Sequence, residues 1–245
     1  MNRSVEDVFQ DFVLGFGGEL VRDLLPPGNP PINADFLFRK HGVIAELKCL
    51  ENSSFGPNYP KKMQELADDW MRRRLMIFFG TVNIELQKLR PECQREWLDL
   101  IAGPLQRNVV KKADTQIRET KKWLGMLDAK GLLLVASDGN VVMQPYDVAY
   151  FITRILGKKT TDGRAQYSNI DGFFQFSLNH PVKMHGFDHP ILFSHAGPRS
   201  TDDDKMRAFC EELQAGWFKF LCKIKGQPIK TISSDGDAIS KIKWM

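Results

Sequence analysis

The amino-acid sequence predicts an α/β fold in which helices pack on a mixed central sheet. Three features lead to this prediction: an N-terminal segment with apolar residues at helical spacing, an apolar hairpin at 34–50, and a wholly apolar stretch at 131–137. A short strand that is apolar throughout is typical of one covered on both faces. The order of helix, hairpin, helices, helix and strand therefore indicates a layered α/β core.

The first predicted helix covers residues 4–25, and the prolines at 26–31 end it because proline has no amide donor. The hairpin strands follow at 34–38 and 43–50 and are joined by residues 39–42. The other elements predicted up to residue 156 are helices at 61–79, 83–101, 108–129 and 145–156, and strands at 131–137 and 141–143. After residue 157 the sequence predicts strands at 173–178, 191–194 and 238–244 and a helix near 202–222.

The composition indicates an ordinary soluble protein of a reducing compartment. Hydrophobic residues make up 42% of the chain and the mean hydropathy is −0.31, with no run long enough to span a bilayer. The first ten residues carry acids and lack the apolar segment of a secretory signal. The four cysteines are scattered and form no CxxC pair, so we expect a cytoplasmic protein without membrane partners. A net charge of +4 permits a nucleic-acid partner but does not require one.

Three charged residues, Asp35, Glu46 and Lys48, lie within the apolar hairpin. Side chains alternate along a strand, so Glu46 and Lys48 share a side, and the turn at 39–42 places Asp35 opposite Glu46. Like charges in this position destabilise a sheet, and burial adds to the cost. Mg²⁺ or Mn²⁺ would compensate, with the carbonyl of Leu47 as a further ligand. Lys48 beside the ion would then complete the equipment for metal-assisted phosphodiester hydrolysis.

The pattern of Asp35 followed by Glu46-Leu47-Lys48, just after two prolines, resembles the PD-(D/E)xK signature of restriction-endonuclease-like nucleases. The order of elements from 4–25 to 131–137 resembles the core of that family as well. The resemblance implies a restriction-endonuclease-like fold and Mg²⁺-dependent hydrolysis of DNA. In that role Asp35 and Glu46 would hold the metal, and Lys48 would position the water or stabilise the transition state.

The resemblance also implies two supporting residues. Members of the family often place a glutamate on the first helix, which here corresponds to Glu19, with Glu6 as the alternative. They often place a glutamine or lysine on the helix after the ExK strand, which corresponds to Gln116, four residues after Lys112 on the same side of the helix.

Two groups of basic residues are candidates for contact with DNA phosphates. Phosphate contacts supply most non-specific affinity for DNA. The candidates are Arg72 and Arg73 before the middle of the chain, and Lys111, Lys112 and Lys121 on the helix predicted at 108–129. Acidic residues are interleaved with both groups, so solvated helix faces explain the same pattern.

The predicted domain organisation is a nuclease-like core at 1–156 and a C-terminal extension at 157–245 that completes the sheet or the substrate groove. The connection between the hairpin and the helix at 108 is much longer than usual for such a join. Residues 51–107 are therefore predicted to be a helical insertion that grips DNA or docks a second copy or a partner subunit.

Two alternatives stay open from the sequence. Glu46 and Lys48 could form the salt bridge of an exposed edge strand, with Asp35 ending a turn. The same fold could also serve as a non-cleaving nucleic-acid-binding or assembly module, because a fold does not fix a function.

Overall fold

The computed structural model describes residues 3–26, 32–50, 58–77, 80, 89–138, 145–179 and 192–226. These residues form a six-stranded mixed sheet with helices on both faces, which confirms the predicted α/β class. The strands are β1 (Glu19–Leu20), β2 (Phe36–Phe38), β3 (Val43–Cys49), β4 (Lys130–Ala136), β5 (Gly172–Phe176) and β6 (Ser194–Pro198). The helices are α1 (Val5–Gly15), α2 (Val21–Leu24), α3 (Tyr59–Arg72), α4 (Pro91–Pro104), α5 (Lys111–Trp123), α6 (Pro145–Leu156) and α7 (Asp204–Lys225).

The strands lie in the sheet in the order of the sequence. Strands β1, β2 and β3 are antiparallel, β3, β4 and β5 are parallel, and β6 is antiparallel to β5. The hairpin has the predicted register, with Phe38 opposite Val43. A 3₁₀ turn at Arg39–His41 closes it, and Gly42 leaves that turn at a φ of 62°, a left-handed conformation that favours glycine.

The sheet is covered on both faces by separate apolar cores. Helices α5 and α6 pack on one face, where Ile44 and Leu133 point. Helices α1 and α7 pack on the other face, which carries a cluster of stacked aromatic rings around Phe9 and Trp217. Glu46 and Lys48 share the parity of Ile44 in β3, so they lie on the α5 side.

The first predicted helix is wrong in its second half. Helix α1 ends at Gly15, Gly17 has a φ of 89°, and the chain then enters β1 and the short α2. A side chain at position 18 would lie 2.5 Å from the Cγ1 atom of Val13, so glycine is needed for this close return of the chain. The run of glycines thus ends the helix rather than bending it.

The single helix predicted at 108–129 corresponds to the end of a π-helical turn followed by a shorter α-helix. A π-helical turn at Leu105–Val110 joins α4 to α5, and α5 ends at Trp123. The helical pair predicted at 61–79 and 83–101 is present as α3 and α4, and the helix predicted at 145–156 is present with the expected bounds.

Residues 157–245 contribute strands to the same sheet through β5 and β6, and α7 covers one face of it. The strand predicted at 191–194 is instead β6, which begins at Ser194. The predicted strands at 141–143 and 238–244 lie outside the described residues. Among the helices within the described ranges, none is long and apolar enough to cross a membrane.

Gly131 on β4 provides a test of how closely the segment before β5 approaches the face of the sheet. A Cβ atom there would lie 1.8 Å from the backbone oxygen of Asn169. We expect Gly131→Ala to lower the free energy of unfolding by about 1–3 kcal/mol, because backbone must move to admit the methyl group. The control is Gly15→Ala at the end of α1, where a Cβ atom meets nothing within 4 Å. Equal urea midpoints for the two variants would contradict this account.

Candidate metal centre

The hairpin brings the two predicted carboxylates together. Phe36 lies opposite Ala45, so Asp35 and Glu46 form the next opposed pair just beyond the end of β2. The Oδ2 atom of Asp35 accepts a hydrogen bond of 2.8 Å from the backbone N–H of Leu47. The side chain of Asp35 therefore accepts the hydrogen bond from β3 that a backbone carbonyl would accept if the strand pairing continued. Glu46 is only 1% exposed, which excludes an edge-strand pair facing solvent.

Lys48 links Glu46 to helix α5. Its Nζ atom donates to Oε1 of Glu46 at 2.5 Å and to Oε1 of Gln116 at 2.8 Å. Gln116 in turn donates to the backbone oxygen of Asn33 at 3.0 Å. Four of the five predicted catalytic residues, Asp35, Glu46, Lys48 and Gln116, thus belong to one hydrogen-bonded group or directly adjoin it.

A threonine on α5 fixes the helix against the start of the hairpin. The Oγ1 atom of Thr120 accepts a hydrogen bond of 2.7 Å from the backbone N–H of Ala34 and donates to the carbonyl of Gln116 at 2.9 Å. Thr120 is buried, so both bonds are shielded from water. This contact places Gln116 within reach of Lys48.

The environment of Glu46 favours its neutral form. Burial, and next the negative charge of Asp35, raise the pKa of Glu46 to about 8, while Lys48 acts in the opposite direction. The Oε2 atom of Glu46 is buried and accepts no hydrogen bond from any described residue. An ionised carboxylate in that state is costly, so the pair needs either a shared proton or a cation.

The donor set fits Mg²⁺ or Mn²⁺ better than it fits zinc. The described residues contain no group of three or more histidine, cysteine, aspartate or glutamate side chains placed to hold a metal. Mg²⁺ commonly takes only one or two protein carboxylates and completes its shell with water and phosphate oxygens. The N–H and C=O of a strand residue point to the same edge, so the carbonyl of Leu47 points toward Asp35, as its N–H does.

Glu19 does not join this group, and the first helix supplies no acid to it. Glu19 lies on β1, where it forms a two-bonded ion pair with Arg39 at 2.8 and 3.0 Å that lowers the pKa of the glutamate. The alternative, Glu6, is exposed on α1, which packs on the opposite face of the sheet. Neither contacts Asp35 or Glu46 among the described contacts.

The surroundings of Arg73 and Lys121, two of the predicted DNA contacts, are described, and the contacts themselves stay predictions. Arg73 is held by Asp69 at 3.0 Å, Glu96 at 2.8 Å and also Glu92, so it ties α3 to α4. Lys121 is 8% exposed, lies 3.9 Å from Asp171, and has a pKa lowered by burial. Its spacing of four residues from the buried Ile117 is the sequence signal that it faces the core. Arg72 is exposed and pairs only with Asp69, at 3.1 Å, so its contact with DNA stays a prediction.

Lys111 and Lys112, two of the predicted DNA contacts, are exposed at the start of α5. They line an open cavity of about 510 Å³ whose other described walls are Ile32, Arg107, Thr115 and Gln116. Gln116 is thus shared between this cavity and the hydrogen-bonded group around Glu46. The sequence interpretation missed Arg107, although it precedes Lys111 by four residues, the spacing of neighbours on one side of a helix.

Comparison of the chain with protein-family models, with curated proteins and with solved structures finds no match. The function is therefore inferred from the geometry of the site.

The raised pKa of Glu46 predicts how the stability of the metal-free protein depends on pH. Between the ordinary value of 4.5 and about 8, the folded protein keeps a proton on Glu46 that the unfolded chain loses. The stabilisation from this group is therefore complete below pH 4.5 and is lost as the pH rises toward 8, by at most about 1.4 kcal/mol per pH unit.

The measurement is urea unfolding at several pH values in the presence of a chelator, with Glu46→Gln as the control because its amide does not titrate. We expect the wild-type stability to fall with pH relative to the variant, because only the wild type loses a buried proton in this range. Parallel pH profiles for the two proteins would contradict the burial of a proton on Glu46.

Proposed function

We propose that this chain is a Mg²⁺- or Mn²⁺-dependent nuclease of the restriction-endonuclease-like type that hydrolyses phosphodiester bonds in DNA. The observation that carries the proposal is the pair formed by half-buried Asp35 and buried Glu46 beside the amine of Lys48. The Oε2 atom of Glu46 has no hydrogen-bond partner among the described residues. The element order supports it as well, since an antiparallel hairpin is joined through α5 to the parallel strand β4. The scattered cysteines of the sequence fit a cytoplasmic enzyme.

The proposed ligands are the carboxylates of Asp35 and Glu46 and the carbonyl of Leu47. A bound Mg²⁺ would polarise the phosphoryl oxygens and lower the pKa of a coordinated water. The protein keeps Glu46 dry and turned toward Asp35, so these two groups are already in place for a cation. The hydrogen bond from Leu47 to Asp35 holds that carboxylate against the strand.

Lys48 is proposed to act in catalysis without binding the metal. Its Nζ atom carries donors beside the carboxylate pair, where it can orient the attacking water or stabilise the charge that develops on the phosphoryl oxygens. Gln116 is a positioning residue in this proposal. Its Oε1 atom accepts a hydrogen bond from Lys48, and its amide group donates one to the backbone oxygen of Asn33. These two bonds restrict the movement of the Lys48 amine.

The second candidate is a nucleic-acid-binding module that does not cleave. The position of Glu19 favours it, because the acid that the family resemblance implied as a third metal-site group is instead paired with Arg39. Only two protein carboxylates then face the site among the described residues, which weakens the hold on a metal.

A DNA-nicking assay with Mg²⁺ or Mn²⁺ distinguishes the two candidates. We expect wild-type protein to nick supercoiled plasmid, and Lys48→Ala to be slower by roughly a hundredfold or more because charge stabilisation in the transition state is lost. Calorimetry with Mn²⁺ should show that Lys48→Ala still binds the ion whereas Glu46→Ala does not. The matched control is Lys40→Ala, which removes an exposed lysine from the turn of the same hairpin.

The nuclease proposal fails if plasmid remains intact with either ion while the protein still binds DNA, and the non-cleaving module is then the better account. It also fails if Lys48→Ala and Lys40→Ala cleave equally well, because Lys48 would then have only a structural role.

A further inference from the structure

The π-helical turn at Leu105–Val110 presents Arg107 to solvent beside the candidate metal centre. It follows Pro104, which cannot donate a helical hydrogen bond and so disturbs the regular ladder of α4. Leu105 and Val109 are buried in the core and fix the turn, while Arg107 is exposed. Irregular turns of this kind inside long helices are frequent at functional sites.

Arg107 lines two adjoining cavities. The larger, of about 510 Å³, reaches Gln116 and therefore the group around Glu46. The smaller, of about 160 Å³, is lined by Arg107 together with residues of α3 and α4, among them Tyr59 and Lys62 of α3. We call the two together the Arg107 groove. It leads from the metal centre to the start of α3.

The cations of this groove form no ion pair with the acids that the structure describes. Among the described residues, Arg107, Lys111 and Lys112 take part in no ion pair and no side-chain hydrogen bond. Some exposed cations elsewhere on the surface have such partners, whereas others, such as Lys40 and Arg95, have none among the described residues. Among those with partners, Arg118 on α5 bonds Glu119 at 2.8 Å. The one acidic residue in the described lining of the groove is Asp99, in the smaller cavity.

An apolar side chain completes the larger cavity next to the metal centre. Ile32 is 64% exposed and lies only three residues before Asp35. Three cations with an exposed apolar residue form a surface suited to a nucleic-acid strand, whose phosphates are anionic and whose sugars and bases present apolar faces.

We infer that the Arg107 groove binds the substrate strand on one side of the scissile phosphate, with Arg107 as its central phosphate-binding residue. The inference rests on the proposed nuclease function and extends it to the helical insertion. Lys111 and Lys112 bind phosphates nearest the metal centre, Lys62 binds the strand farther out, and Ile32 contacts a sugar or base. The insertion is then part of the substrate-binding surface rather than a docking site for another subunit.

The test compares two variants that each remove one exposed arginine, Arg107→Ala and Arg118→Ala. Binding of a short fluorescein-labelled oligodeoxynucleotide is followed by anisotropy over a range of salt concentrations, with Ca²⁺ replacing Mg²⁺ to limit cleavage. We expect Arg107→Ala to bind roughly tenfold more weakly and to lower the slope of log K against log salt by about 0.7–0.9 in magnitude, as for one lost phosphate contact. Arg118→Ala should match the wild type, and Arg107→Lys should recover most of the affinity because the charge remains.

Each outcome separates this inference from the nuclease proposal. If wild-type protein cleaves DNA but Arg107→Ala and Arg118→Ala bind alike, the groove inference is overturned and the nuclease proposal stands. If wild-type protein does not cleave but the Arg107→Ala defect and its recovery by lysine are observed, the groove is supported as a nucleic-acid surface and the nuclease proposal fails.

Circular dichroism and Mn²⁺ calorimetry on Arg107→Ala should match the wild type, because Arg107 touches neither the core nor the carboxylates.

Discussion

The opposition of Asp35 and Glu46 across the hairpin is the constraint on which the site depends. Two carboxyl groups on one face of adjacent strands repel each other, and the burial of Glu46 removes the water that would screen them. The Oε2 atom of Glu46 has no described donor, and burial together with the charge of Asp35 favours a proton on Glu46 although Lys48 pairs with its other oxygen. The hydrogen bonds of Leu47 and Gln116 support this arrangement, and the larger cavity gives access to it from solvent.

Strand register maintains the opposition, and both faces of the sheet enforce the register. Sliding β3 by one residue would turn Glu46 and Lys48 into the aromatic core under α1 and α7 and would bring Ala45 and Leu47 to the α5 side. The parallel pairing of β3 with β4 extends over seven residues and opposes such a shift. On the α5 side, Thr120 and Gln116 form hydrogen bonds with the start of the hairpin. A shift in register would break these bonds and would move Lys48 away from Gln116.

Local patterns predicted the hairpin well, because turn length and side-chain alternation decide which residues oppose each other. Gln116 was also predicted, since its helix follows the ExK strand as in the family that the sequence resembles. Tertiary packing decides what the local patterns did not indicate. The glycines after α1 turn the chain into β1, where Glu19 pairs with Arg39, and Lys121 lies near Asp171 on the buried side of α5. Arg73 pairs with acids of both α3 and α4. Arg107 was missed because its position depends on the π-helical turn, and that turn depends on how Leu105 and Val109 pack.

Because Asp35 and Glu46 are the only carboxylates that face the described site, the Arg107 groove has a direct role in the proposed chemistry. A site with two carboxylates and a backbone carbonyl completes a Mg²⁺ shell with water and with oxygens of the substrate phosphate. Ion and substrate then favour each other's binding, because each supplies interactions that the other needs. In the proposed nuclease, cations that hold the neighbouring phosphates would bring the scissile phosphate to the carboxylate pair. The charge of Arg107, Lys111 and Lys112, which form no ion pair among the described residues, would therefore compensate for the acid that Glu19 does not provide.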